Sequence, residues 1–151
     1  HETNQHILPY VVEPSAGVDR ATLAFLMDSY FEETVNDGQR IVLKLHPELA
    51  PIKVAVLPLK KNHDGIRNTA MQIKNTLMKK SGWRTVYDDT AGIGKLYRRQ
   101  DEIGTPFCVT VDFDTLEDQS VTVRDRDTMA QERVKIDALQ DYLAKKLGNC
   151  R

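Results

Sequence analysis

From residue 53 onward the chain alternates short apolar runs with amphipathic segments, and this alternation constrains the fold more than any other feature. Residues 53–59, KVAVLPL, form an apolar, branched run of strand length. Apolar residues then recur at helical spacing over residues 64–80, and Gly82 follows as a helix stop. A second helix is predicted over residues 93–103. A strand, a helix and another strand in succession are typical of α/β domains.

Four more strands and a final helix complete the predicted pattern. The strands are predicted at residues 84–87, 105–111, 121–124 and 132–136, with a polar turn at 114–119 and the helix at 137–147. The order is β-α-β-α-β-β-β-α, in which helical crossovers favour parallel pairing and the closely spaced last strands favour a hairpin. We therefore expect an α/β fold with a mixed, mostly parallel five-stranded sheet flanked by helices.

The first 38 residues follow a different pattern. Residues 7–13, ILPYVVE, predict a strand, and apolar spacing predicts a helix over about residues 19–33. The polar residues 36–38, Asn-Asp-Gly, are a turn signal and the best candidate for a domain boundary. The sequence therefore predicts two units, residues 1–38 and residues 39–151.

Composition limits the partners and the compartment. With 40% hydrophobic and 28% charged residues, the 151-residue chain has the composition of a soluble globular protein, and it has no run long enough to span a membrane. Its formal net charge is −1, so any RNA contact must come from a local basic patch. Only Cys108 and Cys150 are present, which favours a reducing, cytoplasmic compartment. The chain begins without Met, and we expect a fragment of a longer protein.

Several long motifs resemble the dimeric class II glycyl-tRNA synthetases. EPSAGVDR, residues 13–20, is similar to motif 3 of the class II aminoacyl-tRNA synthetases. Three further stretches resemble the glycyl group, namely residues 42–59, 97–115 and 121–128. Nothing in the chain resembles motif 1 or motif 2. The resemblance implies a C-terminal piece, in which a strand–helix remnant of the catalytic domain precedes a class II synthetase anticodon-binding domain.

The resemblance also implies an activity for the complete protein, which would attach glycine to tRNA(Gly) with ATP and Mg²⁺ as a cytoplasmic homodimer. Glu13 and Ser15 match residues that contact glycine, and Arg20 matches the arginine that contacts ATP. On spacing alone, residues 13–20 also fit an ordinary turn with a salt bridge between Glu13 and Arg20. Without motifs 1 and 2 this piece is expected to be inactive alone and to bind neither cofactor. No membrane or DNA partner is expected.

Two other function classes are compatible with parts of the sequence. The first is a non-catalytic, synthetase-like module that binds tRNA or serves as a polymerase accessory subunit, although such proteins tend to lose the residues that Glu13, Ser15 and Arg20 match. The second is a small α/β nucleotide-binding domain. It would need a glycine-rich loop after the first strand of the sheet, whereas residues 57–63 are LPLKKNH.

The predicted helix at residues 93–103 carries the first group of candidate tRNA contacts. Lys95, Arg98, Arg99 and Glu102 share one face of this helix, opposite Leu96. A solvated amphipathic helix explains Lys95 and Glu102 equally well. For the face as a whole, the resemblance implies contact with the tRNA backbone.

The second group of candidates is the RDRD sequence, Arg124, Asp125, Arg126 and Asp127. Arginine can serve the acceptors of cytosine and aspartate its amino donor, and glycine codons demand a cytosine pair in the anticodon. We therefore expect these residues to form an outward-facing polar rim that contacts the anticodon. The alternative is a surface salt-bridge ladder whose charges satisfy one another. Phe107 is a candidate for stacking on an anticodon base, although its strand also favours a core position.

Overall fold

A computed structural model of the chain describes residues 8–35 and 38–148. Its helices are α1 (Val18–Ser29), α2 (Asp64–Ser81), α3 (Ile93–Ile103), α4 (Phe113–Asp118) and α5 (Leu139–Leu147). Its strands are β1 (Tyr30–Val35), β2 (Gly38–Leu43), β3 (Val54–Pro58), β4 (Thr85–Tyr87), β5 (Phe107–Val111), β6 (Ser120–Asp125) and β7 (Gln131–Lys135). Among these described residues, none of the helices has the length and apolar character needed to cross a membrane.

Five strands form the main sheet in the order β4-β3-β5-β6-β7. Strand β3 pairs in parallel with both β4 and β5, whereas β6 is antiparallel to β5 and to β7. Four of the five strands therefore run in the same direction. The α/β class and the mixed, mostly parallel sheet are confirmed.

Helices cover the two faces of this sheet unequally. On one face, α2 and α5 bury apolar side chains of β3, β5 and β6 in the larger core, which includes Ile66, Val109, Val123 and Leu143. On the other face, α3 contributes Leu96 to a small cluster over β3 and β5. The face of β6 and β7 on the α3 side carries mainly polar residues, since the apolar residues of β6 point to the larger core.

Strands β1 and β2 form a separate antiparallel hairpin. The hairpin follows α1 directly, because α1 ends at Ser29 and β1 begins at Tyr30. The backbone N–H of Lys44, just after β2, donates to the carbonyl oxygen of Ser29 at 2.6 Å. The turn predicted at residues 36–38 lies between the two strands, with residues 36 and 37 outside the described residues. The domain division at residue 38 stays a prediction.

Three local predictions are wrong. Residues 8–13 have no regular secondary structure, although residues 7–13 were predicted to form a strand; residue 7 lies outside the described residues. Helix α1 ends at Ser29 rather than residue 33, because the following residues pair with β2. The predicted polar turn is α4, whose capping box joins Asp112 and Thr115 through reciprocal hydrogen bonds.

Candidate nucleic-acid interface

The outer face of α3 carries the first group of predicted contacts. Lys95, Arg98, Arg99 and Glu102 are all exposed, whereas Leu96 on the opposite side is fully buried. The predicted amphipathic helix is confirmed. We refer to these four exposed residues as the α3 stripe; it carries three cations and one carboxylate.

Two cations of the α3 stripe are held in place by neighbours. Arg99 donates to the carboxylate of Asp88 at 2.5 Å and to the hydroxyl of Thr90 at 2.8 Å, while its side chain stays 44% exposed. Burial alone would raise the pKa of Asp88, but hydrogen bonds from Thr90 and Arg99 lower it below its ordinary value. Arg98 donates to a backbone carbonyl oxygen of β2. Lys95 forms no ion pair with any described residue, so its charge faces solvent.

Arg124 does not face outward as predicted, and that expectation is wrong. It is only 6% exposed. Its guanidinium makes two hydrogen bonds, of 2.8 and 3.1 Å, to the buried carboxylate of Asp101 on α3. It also lies 4.8 Å from the ring centroid of Tyr97. An unpaired base could reach Arg124 only if these contacts were broken.

Arg126 is also inside the fold, at 3% exposure, so the same expectation is wrong for it. Its guanidinium donates to the carbonyl oxygens of Gly104 at 2.8 Å and Leu45 at 3.0 Å, and to the carboxylate of Asp127 at 2.8 Å. Neither arginine therefore belongs to an outward polar rim or to a surface ladder. Instead, both join segments that are distant in sequence.

The two aspartates of the RDRD sequence differ in how far their carboxylates are occupied by hydrogen bonds within the protein. Asp125 accepts hydrogen bonds from the backbone N–H groups of Asp127 and Thr128, both at 2.9 Å, and so organises the β6–β7 turn. The carboxylate of Asp127 is half exposed while it pairs with Arg126. Asp125 and Asp127 thus stay predicted RNA contacts, whereas the buried arginines lack access to solvent.

Phe107 lies in the larger core and is not positioned to stack on an anticodon base. It is 5% exposed and packs among the residues buried by α2 and α5. The core position favoured by its strand is therefore confirmed.

A row of polar side chains crosses the sheet beside α3, and the sequence did not reveal it. The hydroxyl of Tyr97 on α3 lies 2.5 Å from that of Thr110 on β5. Thr110 is the register partner of Thr122 on β6, which in turn is the partner of Arg133 on β7. Arg133 donates to the Thr122 hydroxyl at 3.2 Å. We refer to these four residues as the polar row.

Arg133 ends the polar row at the outer strand of the sheet. It donates to Asp112 at 2.5 Å and to Asp118 at 3.3 Å, and its side chain stays 33% exposed. Burial alone would raise the pKa of Asp112, but hydrogen bonds from Arg133 and Thr115 lower it. The sequence signal for this position was the alternation of polar and apolar residues at Arg133, Val134 and Lys135. Such alternation shows which side chains share a face of the sheet, but not which face stays open to solvent.

The residues that resemble motif 3 are exposed and do not join the interface on α3. Glu13 and Ser15 lie in the irregular segment before α1, and Arg20 lies in the first turn of α1. The salt bridge between Glu13 and Arg20, the alternative that spacing allowed, is not formed, and neither side chain forms an ion pair with a described residue. Their roles toward glycine and ATP stay predictions.

Comparisons with known proteins point to one family. Residues 53–146 match the family described as the anticodon binding domain. The chain is 53% identical over 154 residues to the glycine–tRNA ligase of Thermobifida fusca, covering 99% of this chain and 33% of that protein. It is 56% identical over 146 residues to the enzyme of the same name from Clostridium acetobutylicum, covering 96% of this chain and 30% of that protein. The resemblance to the glycyl group is confirmed, and the chain spans about a third of these relatives.

A solved structure shares the fold. It is that of the prolyl-tRNA synthetase from Cryptosporidium parvum complexed with halofuginone and AMPPNP, with a TM-score of 0.65 and 25% identity. The similarity covers 72% of this chain and 23% of that one. The fold of most of this chain therefore also occurs in a prolyl-tRNA synthetase.

Proposed function

Since the chain belongs to the anticodon-binding domain family, we propose that it holds the anticodon stem-loop of tRNA(Gly) within a glycine–tRNA ligase. The observation that carries this proposal is the family match over residues 53–146, together with identities above 50% to glycine–tRNA ligases over nearly the whole chain. The same relatives make a non-catalytic module the weaker alternative. The complete protein is proposed to be a cytoplasmic homodimer.

The α3 stripe is the proposed contact with the RNA backbone. Lys95 has its charge in solvent, and Arg99 keeps a large part of its side chain exposed while Asp88 holds it in place. Gly92 and Gly94, at the start of α3, are both exposed, and free N–H groups at a helix start are suited to phosphate. Two or three phosphate contacts on a chain of net charge −1 give modest affinity with a modest dependence on salt.

The polar row is the proposed contact with the bases. Arg133 combines an exposed guanidinium with the nearby carboxylates of Asp112 and Asp118. The guanidinium already donates to Asp112, Asp118 and Thr122. On binding, Arg133 would exchange some of these bonds for the acceptors of cytosine, and a carboxylate released in this way would accept from its amino group, as the RDRD sequence was expected to do. Asp127 stays a further candidate at the turn after β6. Bases splayed from a loop can lie on the open sheet, as single-stranded RNA does in many modules.

In the complete protein, Glu13, Ser15 and Arg20 are proposed to contact glycine and ATP. All three side chains are exposed and free to meet a ligand. ATP supplies the free energy for joining the amino acid to tRNA. Arg20 offers a planar guanidinium suited to phosphate or to stacking on a purine, and Glu13 offers a carboxylate for an ammonium group. The complete protein is proposed to use ATP together with Mg²⁺.

Binding to a labelled anticodon stem-loop of tRNA(Gly) tests the proposal. Lys95→Ala should weaken binding by about 1 kcal/mol, or roughly fivefold, with the salt slope reduced by about one. Lys145→Ala is the matched control, since Lys145 is an exposed lysine on α5, which packs on the opposite face of the sheet. It should bind as the wild type does.

Replacing the anticodon cytosines with uridines separates the two surfaces. Lys95→Ala should weaken binding to both RNAs equally, whereas Arg133→Gln should remove about 1–3 kcal/mol of preference for the cytosine form. If the wild-type protein binds neither RNA, the proposed function is refuted. If Lys145→Ala and Lys95→Ala weaken binding equally, the α3 stripe is not the contact surface.

A further inference from the structure

One buried carboxylate joins the hairpin, helix α3 and strand β6. Asp101 on α3 is only 1% exposed. Its Oδ2 accepts a hydrogen bond from Nε of Arg40 on β2 at 2.9 Å, while both of its oxygens accept from the guanidinium of Arg124 on β6. Removal of this carboxylate would leave the buried guanidinium of Arg124 without its ion-pair partner and would leave Arg40 paired with Glu33 alone, an unfavourable arrangement. Asp101 therefore fixes the mutual placement of three elements.

The hairpin contacts α3 along one line of that helix. Arg98, Asp101 and Gly104 are spaced three residues apart and share one side of α3. Arg98 donates to the carbonyl oxygen of Gln39, Asp101 accepts from Arg40, and Gly104 approaches the backbone of β2 closely. Arg98 belongs to the α3 stripe as well, so the same helix that is proposed to face RNA is tied to the hairpin.

The hairpin in turn sets the position of α1. Helix α1 runs into β1 without a loop, and the hydrogen bond from Lys44 to Ser29 closes this junction. Arg40 also donates to Glu33 across the hairpin at 2.7 Å and to the carbonyl oxygen of Arg126. A continuous series of contacts therefore leads from α3 through Asp101 and the hairpin to the helix that carries Arg20.

We propose that Asp101 is a positioning residue that fixes the RNA-binding side of α3 relative to α1 and the segment before it. This inference rests on the proposed function, because it concerns where a tRNA held by α3 places its acceptor end, to which the amino acid is attached. Asp101 touches neither the RNA nor the glycine and ATP candidates. Its role is to keep a bound tRNA oriented toward the residues that handle glycine and ATP. Misplacement by about 1 Å can slow a reaction about a hundredfold without loss of binding.

The test uses the complete ligase that contains this chain, with two substitutions and one control. Asp101→Asn removes the shared charge. Arg40→Gln removes the bonds of Arg40 to Asp101, to Glu33 and to the carbonyl oxygen of Arg126 but leaves the Asp101–Arg124 pair intact, so it also serves if Asp101→Asn fails to fold. Lys44→Gln is the control. Lys44 is the other cation on Glu33, at 2.5 Å, and it makes no contact with Asp101.

Three readouts separate positioning from stability and binding: the Kd for the anticodon stem-loop, glycine-dependent ATP–pyrophosphate exchange without tRNA, and kcat and KM for tRNA charging. Arg40→Gln should lower kcat for charging about tenfold or more, with the stem-loop Kd, the exchange rate and KM within about threefold of wild type. Lys44→Gln should match wild type in all three. Charging at the wild-type rate in both Arg40→Gln and Asp101→Asn overturns the inference, as does an equal loss of exchange and charging. A wild-type protein that binds no stem-loop refutes the proposed function itself.

Discussion

The contact between α3 and the hairpin depends on the absence of a side chain at Gly104. This residue ends α3 with a φ of +86°, and its N–H caps the helix by donating to the carbonyl oxygens of Gln100 and Asp101. A Cβ atom at this position would lie 2.9 Å from the carbonyl oxygen of Leu43 on β2. Since that oxygen belongs to the backbone, it cannot move aside as a flexible side chain would. Gly104→Ala therefore forces α3 and the hairpin apart.

The magnitude has two parts. A left-handed conformation costs an alanine about 1–2 kcal/mol. The added methyl group in a closely packed site costs about 1–3 kcal/mol more. Gly82 isolates the first part, because it ends α2 with a φ of +71° and an added Cβ would meet nothing within 4 Å. Gly104→Ala should thus be less stable than Gly82→Ala by about 1–3 kcal/mol.

Urea unfolding of the 151-residue chain measures this difference. A shift in the midpoint without a change in slope shows an effect on stability alone. At the thermal midpoint the same difference corresponds to about 2–4 °C per kcal/mol for a chain of this size. If Gly82→Ala and Gly104→Ala are destabilised equally, the close approach of Gly104 to Leu43 does not constrain the fold, and the reasoning about the α3–hairpin contact is refuted.

Two further predictions concern single groups. Arg133→Gln should lower the free energy of unfolding at neutral pH by about 0.5–1 kcal/mol. Because Arg133 lowers the pKa of Asp112, this contribution is lost as the pH falls through that lowered pKa, which lies below the ordinary value of 3.8. A difference in stability between variant and wild type that stays constant in acid would contradict the assignment. Cys108 is buried, and burial raises its pKa to about 12. A thiol reagent should therefore modify Cys108 only after unfolding, with the Cys108→Ser variant as the baseline. Rapid labelling of Cys108 in the native protein would contradict its burial.

Most of the main sheet was predictable because its signals are local. The apolar run at residues 53–59 and the helical spacing that ends at Gly82 each need only neighbouring residues to be recognised. The short helix α4 was missed because six residues are too few to show a period. Its capping box at Asp112 and Thr115 was the available signal. Helix α1 was predicted too long because Tyr30 pairs with Leu43, and such long-range pairing cannot be seen in the local pattern.

The candidate interface was only partly predictable for the same reason. The spacing of Lys95, Arg98, Arg99 and Glu102 fixed a common exposed face, since helical geometry depends on the segment alone. The alternation of the RDRD sequence could not show that Arg124 would be drawn inward. That outcome depends on Asp101, which lies on another element.

By itself, the sequence determined the class of fold, the chain order of the five strands of the main sheet and the family, because local periodicity and long motifs are properties of the chain. Only the tertiary structure decided that the arginines of the RDRD sequence are buried. A guanidinium is buried when a carboxylate or carbonyl oxygen from a distant segment compensates its lost hydration, as Asp101 does for Arg124 and Gly104 does for Arg126. The same packing left the α3-side face of β7 uncovered, where the side chain of Arg133 stays partly exposed.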